Sequence, residues 1–199
     1  MLICYNLTMK SIILASASPR RKKLLERIGL RFKIVVSKFE EVIDPKLSPH
    51  QLAKKLSLEK AKIVATKYKN AIVIAADTFV ICDNKIIGKP KDENDARQTL
   101  RLLSNRAHSI ITGFTIIDSD TGKTVSRSEE TKVFMRKITE EEIDSYVKTK
   151  EPLGKAGSYA IQEKGSMFIE KIEGDYFNVV GLPIYSLFKE LKNFGVSVF

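Results

Sequence analysis

Six consecutive residues without a polar member, Ala71, Ile72, Val73, Ile74, Ala75 and Ala76, run straight into Asp77 and Thr78. A run of that length and β-branched content leaves no face for water, so it reads as a strand covered on both sides, as in an α/β sheet. The carboxylate at its end is the second constraint. A buried charge without a partner is penalised by several kcal/mol, so Asp77 must lie at the mouth of the sheet, in a cleft or beside a cation. The C-terminal edge of such strands is where α/β proteins collect ligands, and a carboxylate there can act as a general base. A turn-forming aspartate is the plainer reading.

The rest of the chain is punctuated clearly. Residues 11–15 read as a short buried strand, and Ser18-Pro19 has the form of an N-cap followed by proline at the first helical position, opening a helix that closes at Gly29. A strand over 32–36 follows. Ser48-Pro49-His50-Gln51 is a capping box that starts a helix to about residue 69, and Asn70 breaks it before the apolar run. A helix is expected over 92–103, then a β-hairpin of strands 108–117 and 124–135 joined by the turn residues 118–122. Thr139 and Glu142 form a second capping box for a helix to 149; a strand over 167–172 and a helix over 183–193, stopped by Gly195, complete the chain. No repeat or linker interrupts it. The pattern predicts one mixed α/β domain over residues 10–199, in two lobes with a cleft, preceded by residues 1–9 as a leader or frayed end.

Composition narrows the partners. Thirty-four Lys and Arg against 24 Asp and Glu give a net charge of +10, a field that favours anions without saying whether they are nucleic acid, acidic lipid or a small polyphosphate. Cys4 and Cys82 make no disulfide framework or zinc spacing, and no apolar run approaches the roughly 18 residues of a membrane span, so a cytoplasmic protein without a membrane partner is expected. Neither GxxxxGK[ST] nor HExxH occurs, which argues against a P-loop enzyme and a zincin. Of the two histidines, His50 falls at a helix start and His108 in an alternating strand; a structural hydrogen-bonding role fits His108 better than a nucleophile triad.

Three more clusters join Asp77 as candidates. Ser16, Ser18, Arg20 and Arg21 lie between a strand end and a helix N-terminus, where N–H groups, hydroxyls and guanidiniums can converge on an anion. Ser18 as a simple cap with solvated arginines explains the same spacing. Two cations at the positive end of a helix, however, each forfeit a few tenths to about 1 kcal/mol, which a bound anion would offset. Lys60, Lys89 and Glu41 are ordinary surface residues taken singly; together, Glu41 and Asp77 can hold a hard divalent cation while the lysines neutralise a phosphate chain. In the stretch 155–162, Gln162 presents donor and acceptor side by side, matching the carbonyl and N–H edge of uracil or thymine, although taken alone a glutamine in a surface hairpin is the better reading.

With these residues assembled, the sequence resembles the Maf family of nucleoside triphosphate pyrophosphatases over residues 10–191. The resemblance rests on Ile13-Leu14-Ala15-Ser16-Ala17-Ser18-Pro19-Arg20-Arg21, Ala76-Asp77-Thr78, Gly88-Lys89-Pro90, the segment 104–113, Lys155-Ala156-Gly157 and Asn178-Val179-Val180-Gly181-Leu182-Pro183, in that order. It implies a two-lobed fold shared with the inosine triphosphate pyrophosphatases, Mg2+ or Mn2+ as cofactor, and hydrolysis of a nucleotide between its α and β phosphates. By position it implies Asp77 as general base, with Glu41 as its acidic partner at the metal. Ser16, Ser18, Arg20 and Arg21 would bind phosphate, and Lys60 and Lys89 would stabilise charge. Lys155-Ala156-Gly157 with Tyr159 and Ile161-Gln162 resembles the branch acting on dTTP and UTP, which makes Arg20, Thr78 and Gln162 the specificity positions. The chain departs from that branch at Glu40, Gly154, Ala160 and Glu163. The resemblance also implies a homodimer, while the basic residues, scattered over separate motifs without a stripe of interleaved aromatics, argue against a stable nucleic-acid complex. The competing readings are a nucleic-acid-binding or division-regulating protein, and a pyrophosphatase that prefers another base such as 7-methyl-GTP.

Overall fold

In the computed structural model, which describes residues 10–40 and 42–198, the chain runs β1 (Ser11–Leu14), α1 (Pro19–Arg27), β2 (Lys33–Ile34), α2 (Pro49–Ala65), β3 (Ala71–Cys82), β4 (Lys85–Ile87), α3 (Glu93–Leu103), β5 (Ala107–Asp118), β6 (Thr124–Met135), α4 (Glu140–Lys148), β7 (Ile169–Glu173), α5 (Tyr176–Val180) and α6 (Ile184–Lys192). The expected leader, residues 1–9, and Glu41 lie outside the described residues. Both capping boxes form: the Ser48 and Thr139 hydroxyls accept from the backbone of Gln51 and Glu142, whose side chains reach back to the cap N–H groups. Ser18 caps α1, accepting from Arg21 N–H at 3.4 Å.

Three expectations change. The strand expected over 32–36 shrinks to Lys33–Ile34, because its parallel partner β1 ends at Leu14 and offers no further ladder. The second helix stops at Ala65 rather than 69, since the following residues turn back into the sheet with Asn70 at φ +51° and its N–H held by Asp120 at 2.8 Å. The apolar run is only half of its strand: β3 continues for 12 residues to Cys82, so Asp77 and Thr78 sit inside the strand and not at its end. Pairing carries it on, because β5 runs antiparallel to it from Ile72↔Asp118 to Ile81↔Ser109.

That long strand joins two lobes. The sheet has seven strands in the order β2-β1-β3-β5-β6-β7, with β4 also on β3. One edge of β3 is shared in sequence by two partners: β1 runs parallel as far as Leu14↔Ile74, and β4 runs antiparallel from Val80↔Ile87. Between them, residues 76–79 have no strand on that edge among the described residues. Side chains alternate across this gap. Val73 and Ala75 pack with Ala61 and Val64 of α2, while Ile72, Ile74 and Ala76 pack with Leu24 and Leu25 of α1 and Leu187 and Leu191 of α6. Past the gap, Val80 and Cys82 join a different core with Leu100 of α3 and Ile143 and Val147 of α4. The change of helical cover on one face, beside the open edge, produces the cleft.

Candidate active site

The cleft has a volume of about 760 Å3, within the usual range for small-molecule sites. Its lining brings together the turn before α1, residues 77–79 of β3, Lys60 of α2, Lys89 after β4 and the loop carrying Lys155 and Gln162. Five cations, Arg20, Arg21, Lys60, Lys89 and Lys155, surround one described carboxylate, Asp77. Ser16, Ser18 and Thr78 line it as well, so every described residue singled out from the sequence reaches the same cavity.

Alternation along β3 decides what Asp77 and Thr78 meet. Asp77 follows Val73 and Ala75 on the α2 face and is 6% exposed, with its Oδ1 in an ion pair with the Lys60 ammonium. α2 can bring Lys60 this close because the β5 residue opposite Asp77 is Gly113, where a Cβ would come within 2.2 Å of the Ala53 carbonyl oxygen. Thr78 points to the other face. Its Oγ1 accepts from Arg21 Nη2 at 3.0 Å and lies 3.0 Å from Thr112 Oγ1, and Thr112 in turn donates to the Asn178 carbonyl at 3.0 Å.

Arg21 is braced on three sides. Besides Thr78, it donates from Nη1 to Ser16 Oγ at 3.1 Å and from Nε to the Gly181 carbonyl at 2.8 Å. Gly181 has φ +116°, and a Cβ there would meet Thr78 Oγ1 at 3.4 Å, so glycine allows α5 to end against the guanidinium. The buried Asn178 side chain fastens α5 in place, donating to the Ile110 carbonyl and to Thr131 Oγ1 at 3.0 Å each. Three of its donors lock the loop before α1 to β3 and α5 and hold the guanidinium in the cleft lining, where the sequence reading expects a phosphate contact. The neighbouring Arg20 is partly buried, which pulls its guanidinium below the ordinary value, while Glu163 acts in the opposite sense.

The description Maf-like protein fits residues 11–194, nearly the whole chain, as a family match. This chain belongs to the Maf-like family. It is 52% identical over 190 residues to a protein of Bacillus cereus named dTTP/UTP pyrophosphatase, covering 96% of this chain and 93% of that one. A protein of Methanosarcina barkeri with the same name is 50% identical over 192 residues, covering 96% and 98%. Among solved structures, a HAM1 protein from Coxiella burnetii superposes with a TM-score of 0.52 at 13% identity, covering 93% of this chain and all of that one, a likeness of fold.

The remaining wall of the Maf-like cleft is a loop that the sequence reading marked only in part. Gln162 is exposed and lines the cavity. Lys155, which the motif contained but the site assignment omitted, is also there: its side chain is 13% exposed and its Nζ donates to the Glu151 carbonyl at 2.5 Å. Glu151 pins the loop from below, accepting from Tyr146 OH at 2.7 Å and from the N–H groups of Lys164 and Gly165 at 3.1 and 3.0 Å. Tyr159, also in the lining, places its OH 2.7 Å from Nε2 of the buried His108, the structural hydrogen bond expected for that histidine. No helix among the described residues is long and apolar enough to cross a membrane.

No group of three His, Cys, Asp or Glu side chains that could hold a metal ion gathers among the described residues. Asp77, the one described carboxylate of this polar cleft, is a donor that fits magnesium or manganese, which complete their shell with water and phosphate oxygens.

Proposed function

We propose that this chain hydrolyses dTTP and UTP between the α and β phosphates, yielding the monophosphate and pyrophosphate. The observation that carries the reading is the buried carboxylate of Asp77, set among five cations in a nucleotide-sized cleft. The names of relatives at about half identity over the full chain support the substrate. A basic stripe on a nucleic-acid binder has no need of a carboxylate at its deepest point; a hydrolase does, because water must lose a proton as it attacks.

In this reading Asp77 takes that proton, and in-line attack at phosphorus breaks the bridging P–O bond. Charge then grows on the oxygens of the departing pyrophosphate. Lys60 and Lys89 supply fixed positive charge towards those oxygens, and Arg20 with the hydroxyls of Ser16 and Ser18 holds the phosphates at the start of α1. Arg21 joins them at the phosphates and keeps Ser16 and Thr78 in register with one another. Gln162 reads the pyrimidine edge, with Arg20 and Thr78 completing the specificity positions. Asp77, with Glu41, would hold Mg2+ or Mn2+, which supplies Lewis-acid neutralisation of phosphate charge when bound.

The test is pyrophosphate release from dTTP, UTP, CTP, GTP and 7-methyl-GTP, with Mg2+ or Mn2+ and with chelator. Release from dTTP and UTP that stops on chelation is the expected result. Metal-dependent release from another base overturns the role given to Gln162. No release from any nucleotide, together with steeply salt-dependent binding to DNA, overturns the enzyme reading in favour of nucleic-acid binding.

A further inference from the structure

Glu163 stands beside the base-reading Gln162, and nothing in the reaction above uses it. Its Oε2 lies 3.4 Å from the Nζ of Lys155, a residue of the cleft lining, and its charge also acts on Arg20. Although it occupies the cap position before the turn Lys164–Phe168, its side chain makes no capping hydrogen bond there. Nor is it needed to hold Lys155, whose ammonium already donates to the Glu151 carbonyl. The carboxylate is half exposed, at 49%, whereas Lys155 is 13% exposed, so the anion is the partner with room to move away.

We propose that Glu163 is a built-in counter-anion of the cleft, occupying Lys155 until the polyphosphate of a substrate displaces it, and thereby setting how tightly polyphosphates bind and how readily they leave. The inference rests on the proposed polyphosphate chemistry of this cleft. Its physical basis is competition: an arriving anion must break an existing ion pair and also meets the repulsion of a carboxylate of its own sign. Both effects weaken binding, and both fade as salt screens the charges. A purely structural Glu163 would act with the opposite sign, since its removal would loosen Lys155 and weaken anion binding.

The experiment is calorimetric titration of the full chain and of Glu163→Gln with inorganic tripolyphosphate, at low and at physiological ionic strength. Glu163→Gln should bind about three- to fivefold more tightly at low salt, the range of an exposed ion pair. The advantage should shrink as salt rises. Equal or weaker binding overturns the proposal, and so does an advantage that salt does not change. Glu163→Ala should repeat the sign of the effect; a reversal overturns the proposal too. Pyrophosphate release by the unaltered chain, run in parallel, separates the two readings. Tighter binding in the variant without any nucleotide turnover sinks the proposed reaction and keeps Glu163 as counter-anion, whereas turnover with unchanged binding does the reverse.

Discussion

Asp77 and Lys60 illustrate how one residue can serve both structure and chemistry. Each is nearly buried, with side-chain exposures of 8% and 12%, and their ion pair joins α2 to the central strand. Breaking such a pair by removing one charge is destabilising, so the informative substitution keeps the shape. Asp77→Asn retains an acceptor for the Lys60 ammonium but cannot take a proton from water. Turnover of dTTP should fall by about 10²- to 10⁴-fold, the usual contribution of a positioned base, with the far-ultraviolet circular dichroism unchanged. Turnover within a factor of two of the parent would remove Asp77 from the chemistry. Arg21 shows the other side of the same scale. Its fork reaches Ser16, Thr78 and Gly181 at once, which a lysine ammonium on a single stem cannot reproduce.

At the scale of elements, the decisive contact is between α2 and β5. Leu52, Ala53 and Leu56 of α2 pack with Ile111, and Ser57 Oγ lies 2.9 Å from Thr115 Oγ1, so the helix rests flat on the strand. Gly113 sits between these contacts, beneath the backbone of Ala53, and its place opposite Asp77 ties helix position to site geometry. A methyl group there has to push backbone rather than a flexible side chain. Gly113→Ala is therefore expected to lower stability by about 3 kcal/mol, the upper part of the overpacking range, and to reduce turnover by lifting Lys60 from Asp77. A urea midpoint equal to that of the parent would show that the helix does not need this approach. The capping boxes at Ser48 and Thr139 were legible from spacing alone because their partners lie three residues away. β4 and α5, of three and five residues, were not: neither is long enough to display a period, and both exist because tertiary partners hold them.

The whole molecule responds to acid through groups far from the cleft as well as near it. Burial lowers the His108 imidazole from its ordinary 6.5 to about 4. As pH falls below 6.5 the unfolded chain binds a proton at this histidine while the folded chain does not, so stability is lost down to about pH 4 and then levels off. The loss should be on the order of 3 kcal/mol. Glu142 behaves differently: the Arg136 side chain, then the Thr139 N–H, hold its carboxyl down to about 2, so its contribution is lost only as pH falls from 4.5 through that value. Urea midpoints between pH 7 and 4.5 separate the two. The parent should weaken over that interval and His108→Gln should weaken much less; equal slopes would show that His108 is not the group responsible.

From its sequence alone, this protein's α/β class, both capping boxes, the hairpin and the motifs that converge on the cleft could be read, because each depends on neighbours within a few residues. Only the tertiary structure decided that Asp77 and Thr78 lie within a strand, since pairing with β5 carries β3 past its apolar run. It also decided that Arg21 is a brace, because the Gly181 carbonyl it reaches is 160 residues away along the chain. Lys155 and Glu163 come within 3.4 Å only because the loop that carries both folds back on itself. Local pattern sets which elements can form. Which side chains face one another depends on the register of long-range strand pairs and on where one strand stops beside another, and no short window of sequence contains that information.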